Sequence, residues 1–96
     1  MNAITEACTA VGGQRALALA LRISAPTVHQ WINGARRVPE DRCPEIELAC
    51  KGAVTCEQLR PDLSWVRVAD SAWPHAEGRP LLDHAARLDP APAAAA

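Results

Sequence analysis

The sequence predicts an all-α fold of five short helices, followed by a C-terminal extension able to add a short β-hairpin. Three observations predict it. Hydrophobic residues make up 49% of the 96 positions with no Phe or Tyr, so Ala and Leu, the better helix formers, carry much of the apolar content. Apolar residues recur at helical spacing up to Leu59, broken at Gly12-Gly13, Asn33-Gly34 and Gly52. From Trp65 the period changes to alternation. A chain of this length holds one modest core.

The first helix is predicted over 2–11, with Ile4, Cys8 and Val11 on one face. Gly12-Gly13 ends it, since glycine takes a left-handed cap without steric cost. Gln14 to Leu21 form the second helix, with Leu17, Ala18 and Leu21 inward. Arg22-Ile23-Ser24 breaks the pattern. Ser24 is an N-cap and Pro26 fits only a first turn, so a third helix runs from Ala25 to Ile32 and closes at Asn33-Gly34. Pro39, Glu40 and Asp41 mark a fourth start, although Pro44 shifts the regular helix to about Pro44–Cys50. Thr55 with Gln58 is a capping box for a fifth, ending before Pro61.

Residues 1–64 are thus predicted as the helical domain and 65–88 as an extension. Residues 89–96, only Asp, Pro and Ala, read as a disordered tail. Trp65-Val66-Arg67-Val68 alternates like a strand. Pro80-Leu81-Leu82-Asp83-His84 either pairs back as a second strand or docks as a short helix. The extension caps the helical core, folds back on it, or pairs between subunits; dimerisation is favoured.

The net charge is −1, but its distribution is uneven. No acid lies between Glu6 and Glu40, a stretch that holds Arg15, Arg22, Arg36 and Arg37. Cys8, Cys43, Cys50 and Cys56 form no C-x-x-C pair, and His29, His75 and His84 stand at no familiar zinc spacing. Buried reduced thiols are expected, with no metal and no cofactor. No signal peptide opens the sequence and no run spans a bilayer, so a cytoplasmic protein is expected. No phosphate loop or nucleophile constellation is present, and no enzymatic activity is expected.

The informative constellation is the second and third helices. Two helices crossing closely need a small residue, supplied by Ala18, and apolar inner faces, supplied by Leu17, Leu21, Ile23, Val28, Trp31 and Ile32. The spacing of Trp31 with Val28 assigns it to the core rather than to base stacking. The opposite face presents Pro26, Gln30 and Asn33, flanked by Thr27 and His29, and is uncharged and amide-rich. In a helix-turn-helix the second helix enters the major groove, where amides address adenine and histidine addresses purines. The candidate base contacts are Pro26, Thr27, His29, Gln30 and Asn33. The candidate phosphate contacts are Gln14, Arg15 and Ser24 at helix starts, and Arg36 and Arg37 after the reading helix. Arg42 either ties down the acidic fourth helix or reaches phosphate.

Residues 14–34 resemble the helix-turn-helix of lambda-type Cro and repressor proteins. The longer pattern resembles the YdaS-like Cro family of prophage regulators. It comprises Ser24-Ala25-Pro26-Thr27-Val28-His29-Gln30-Trp31-Ile32-Asn33-Gly34, then Arg37-Val38-Pro39, Arg42-Cys43-Pro44, Ile46-Glu47, and the run from Gly52 to Asp62. The resemblance covers about residues 2–65 and implies a lambda-repressor-like five-helix domain that binds operator DNA as a repressor. Some family members are described as antitoxin-like partners. Arg22 departs from the pattern where many such turns place glycine, which costs about 1 kcal/mol in a left-handed conformation.

Two functions follow as expectations. One is a DNA-binding regulator acting as a homodimer or higher homo-oligomer on double-stranded operator DNA. The other is an antitoxin-like module that binds a toxin or polymerase subunit, with DNA secondary.

Overall fold

A computed structural model describes residues 2–83. The tail 89–96 and His84 lie outside those residues. Five helices are followed by one two-stranded antiparallel hairpin.

Helix α1 spans Ala3–Val11 and starts on Asn2, whose Oδ1 accepts the Thr5 backbone N–H at 2.9 Å. Gly12 ends it at φ 106°, and Gly13 N–H closes back on Cys8 O at 2.7 Å. Helix α2 spans Gln14–Leu21 and helix α3 spans Ala25–Ile32. Ser24 caps α3 by accepting the Thr27 N–H, and Pro26 lies in the first turn. Gly34 turns the chain out of α3 at φ 81°.

Helix α4 is Cys43–Ala49, with Pro44 inside its first turn. The helix expected at about Pro44–Cys50 is met within one residue, and Pro39 opens only an isolated turn, closed by Arg42 N–H to Pro39 O at 3.0 Å. Pro44 lacks the N–H that a longer helix would use there. Lys51 at φ 54° and Gly52 at φ 81° stop α4. Helix α5 is Cys56–Leu59, with both arms of the Thr55–Gln58 capping box formed.

Strand β1 is Trp65–Val68 and strand β2 is Arg79–Leu82, paired Trp65 to Leu82 and Val68 to Arg79. Of the two alternatives for Pro80 to His84, the strand forms over Pro80 to Leu82. Gly78 enters β2 at φ 103°, and a Cβ there would fall 1.9 Å from Val68 O, so the connection admits only glycine.

The core is one cluster spanning all five helices. Ile4, Ala7 and Cys8 of α1 meet Leu17, Ala18 and Leu21 of α2, Val28 and Trp31 of α3, and Cys43, Ile46 and Cys50 of α4, with Val38, Val54 and Cys56 closing it. Ile23 and Ile32 pack at its edge, half-buried. Ala18, 3% exposed, sits in the inner face of α2, which packs against α3. The four cysteines are buried and free. Burial pushes the Cys43 thiol up to about 12 and raises Cys56 further.

The hairpin folds back onto the helices through a buried ionic group. Glu47 of α4 is 0% exposed. Its carboxylate accepts Arg67 Nη1 at 2.5 Å and Nη2 at 2.7 Å, Trp73 Nε1 at 2.6 Å and Cys56 N–H at 2.9 Å. Arg67 also donates to Glu57 at 2.6 Å and to Gly78 O at 3.0 Å. Burial alone would raise the Glu47 carboxyl. The hydrogen bonds from Arg67, Trp73 and Cys56, with the Arg67 charge, outweigh it and hold Glu47 below the ordinary carboxylate range. The outer face of the hairpin carries Val66, Val68 and Leu81, all exposed.

Candidate nucleic-acid interface

The site begins with the turn between α2 and α3. Arg22 takes the left-handed conformation, φ 60° and ψ 44°, that its position demands. The Ile23 N–H donates to Ala18 O at 3.0 Å and the Arg22 N–H to Leu19 O at 3.2 Å, closing the end of α2. The non-glycine residue therefore keeps the tight turn rather than loosening it. Ser24 then starts α3 at once, and its Oγ pairs with Thr27 Oγ1 at 2.8 Å.

Burial divides α3 into two faces. Val28 and Trp31 are buried, while Ala25, Pro26, His29 and the following Asn33 are exposed. Gln30 and Thr27 are half-buried at the borders. The outward centre therefore falls on Pro26, His29 and Asn33. Gln30, expected at that centre, sits on the rim, because the inward direction is set by Val28 and Trp31 together. Thr27 is further held by its hydroxyl contact with Ser24.

The end of α3 is fixed from two sides. Asn2 Nδ2 donates to Ile32 O at 3.0 Å, across thirty residues of sequence. Asn33 Oδ1 accepts the Ala35 N–H at 2.9 Å, which shapes the exit loop and leaves the Asn33 Nδ2 donors outward. Arg36 N–H donates to Gln30 O at 3.2 Å, so the arginine segment turns back alongside the helix.

Exposed cations and donors lie at the start of α2 and after α3. Gln14 and Arg15 open α2, whose N-cap Gly13 offers no side-chain cap to the first N–H groups. Arg36 and Arg37 are exposed after α3. Arg37 Nη1 donates to Asp62 at 3.0 Å. Arg42 turns inward: it pairs with Glu45 at 2.7 Å and donates to Leu21 O at 3.4 Å, so it ties α4 to the end of α2.

Asp62, Arg60 and Asn2 were not singled out from sequence. The i, i+2 spacing of Arg60 and Asp62 was a visible signal; the reach of Asn2 to Ile32 had none. Among the described residues no cluster of His, Cys, Asp and Glu is arranged to hold a metal, and no helix is long and apolar enough to cross a membrane.

Comparison with known proteins adds to this geometry. Residues 4–68 match the family described as "Bacterial toxin YdaS". The chain is 52% identical over 67 residues to YdaS of Escherichia coli (strain K12), a candidate transcriptional regulator, covering 70% of this chain and 68% of that protein. Its structure is similar to that of the Cro protein from prophage element Xfaso 1 of Xylella fastidiosa strain Ann-1. That match has a TM-score of 0.61 and 42% identity, covering 65% of this chain and 94% of the other. The family name says toxin, while one relative is named a regulator and the other a Cro protein; the chain belongs to the YdaS family, with a Cro-type arrangement of its helices.

Proposed function

We propose that the protein is a sequence-specific, DNA-binding transcriptional regulator, a Cro-like repressor of a phage or prophage operator that reads the major groove with residues 25–33. The observation that carries this reading is the uncharged, exposed face of α3, Pro26, His29 and Asn33, rimmed by Gln30, with exposed Arg36 and Arg37 following directly and Arg15 exposed at the start of α2. The names of the two relatives support it. A helix exposed only to solvent more often carries Lys and Glu, whereas unpaired amide and imidazole groups match the donors and acceptors of base edges. Asn33 presents Nδ2 to a purine acceptor, Gln30 reaches in from the rim, His29 donates or accepts, and Pro26 and Thr27 make apolar contact with thymine methyl groups. Gln14, Arg15, Ser24, Arg36 and Arg37 contact phosphates and set register.

Selection of bound sites from random duplex DNA tests this directly. A recurrent motif is expected, and recovery of no motif refutes sequence-specific reading. Within the selected site, Gln30→Ala should weaken binding by about 1–3 kcal/mol while sparing non-specific DNA. Equal loss on both duplexes removes Gln30 as a reader. A pair of half-sites about 34 Å apart is the expected pattern, because one helix-turn-helix reads few base pairs. The hairpin supplies the dimer contact in this reading, through Val66, Val68 and Leu81. Light scattering of a Val66→Asp, Leu81→Asp variant should then report half the mass of the parent; an unchanged mass rejects the hairpin as the contact.

The same exposed apolar face favours one second reading, an antitoxin-like module that docks a toxin or polymerase subunit there, with DNA secondary. A monomeric wild-type chain that yields no DNA motif is the outcome that selects it.

A further inference from the structure

The turn after α5 sets a carboxylate among guanidinium groups. Asp62 Oδ1 accepts Arg60 Nε at 2.9 Å, and Oδ2 accepts Arg60 Nη2 at 2.8 Å. The same Oδ2 accepts Arg37 Nη1 at 3.0 Å. Arg60 is anchored separately, through Nη1 to Val38 O at 3.0 Å. The two arginines differ in freedom: the Arg60 side chain is 15% exposed and that of Arg37 is 76% exposed. A groove of about 380 Å³ opens beside them, lined by Trp31, Gly34, Arg36 and Leu59 among others.

We propose that Asp62 is a built-in substitute for a DNA phosphate, neutralising Arg37 in the free protein and releasing it when a duplex docks, and so setting the affinity of the α3 surface. This role rests on the DNA-reading function proposed above. A carboxylate and a phosphate offer a guanidinium the same pair of acceptor oxygens. The link from Arg37 to Asp62 is a single exposed hydrogen bond, the kind of ion pair that contributes little and exchanges readily. The link from Arg60 to Asp62 is bidentate, so Asp62 stays in place while Arg37 moves. Arg60 hydrogen bonding is also the main reason the Asp62 carboxyl is held down to about 2. Protonation therefore does not free Arg37 at ordinary pH; a competing anion must. Holding the segment after α3 does not require Asp62, since Arg60 already grips Val38 O.

The test is an anisotropy titration of the full chain with labelled duplexes from roughly 50 to 200 mM salt. Asp62→Asn keeps an acceptor for Arg60 and removes the charge; Asp62→Ser is the second variant, and a circular-dichroism melt checks both. Binding should tighten about three- to tenfold on every duplex at the low-salt end. The slope of log K against log salt should change by well under one, because Arg37 meets the same phosphate in both complexes. In an Arg37→Ala background the gain should vanish. Glu6→Gln, which alters net charge equally at an exposed site on α1, should leave the affinity close to that of the wild type. Weaker or unaltered binding by both Asp62 variants overturns the role, as does a gain that survives Arg37→Ala. Wild-type protein that binds no duplex at any salt overturns the DNA-reading function and this role with it. Wild-type protein that binds, with Asp62→Asn matching it, overturns the role alone.

Discussion

Glu47→Gln removes one negative charge from the junction between helices and hairpin. Glu47 is fully buried and accepts four hydrogen bonds, two from Arg67 and one each from Trp73 and the Cys56 backbone. A glutamine turns one acceptor oxygen into an NH2 group that faces donors. The Arg67 side chain, 6% exposed, would keep only Glu57, itself 46% exposed, and Gly78 O. Removing one partner of a buried ion pair costs about 3–5 kcal/mol. That is a large part of the about 5–15 kcal/mol that holds a domain together. For a chain of this size each kcal/mol moves the midpoint by about 4–8 °C, so Tm should fall by at least about 12 °C. Far-UV circular dichroism follows the helices, and indole fluorescence follows Trp65 and Trp73 at the hairpin. The double variant Glu47→Leu, Arg67→Met leaves no buried charge unpaired and should lie closer to wild type than Glu47→Gln. A Glu47→Gln loss below about 1 kcal/mol, the scale of one ordinary hydrogen bond, would refute the reasoning. So would a double variant no better than the single.

Three further outcomes are expected. Arg22→Gly should raise stability by about 0.5–1 kcal/mol in urea titrations, because glycine relieves the left-handed strain at φ 60°; a loss would mean the Arg22 side chain does more than occupy the turn. Gly78→Ala should disrupt the hairpin, since its Cβ would meet Val68 O at 1.9 Å, and hydrogen exchange at 65–68 should accelerate while α1 to α3 stay protected. Acid should destabilise: Glu47, Glu57 and Asp62 are all held below the ordinary carboxylate range. Their folded values being the lower ones, the unfolded chain takes up protons first. Their contribution is therefore complete above about pH 4.3 and is lost as pH falls toward the folded values, about 2 for Asp62. A urea midpoint unchanged between pH 5 and about pH 3 would contradict this.

The helical half was legible because its boundaries are local chemistry. Ser24, Thr55 and Gly12 act on residues within four positions of themselves, so the limits of α2 and α3 and both arms of the α5 cap follow from neighbouring letters. The fourth helix was legible for the same reason: Pro44 breaks the hydrogen-bond ladder, so the Pro39 segment keeps only a turn and the helix starts at Cys43. The outward face of α3 was legible in composition, with Gln30 half-buried beside the exposed Pro26, His29 and Asn33. Spacing finds a buried stripe, but the neighbours decide its exact bearing. The group joining Glu47 to Arg67 was not legible at all. Its partners stand twenty residues apart on elements of different period, and Arg67 reads as an ordinary polar position in an alternating strand.

The bond from Asn2 to the last carbonyl of α3 bears on how that helix comes into being. Its final turn is completed by a residue thirty positions upstream, and its inner face rests on α1 as well as α2. A synthetic peptide of residues 14–33 would hold both helices of the motif and neither of these supports. Short helices are marginal alone in water. The α2–α3 pair is thus not a portable cassette; transplanting its surface to another scaffold means carrying the start of α1 along with it.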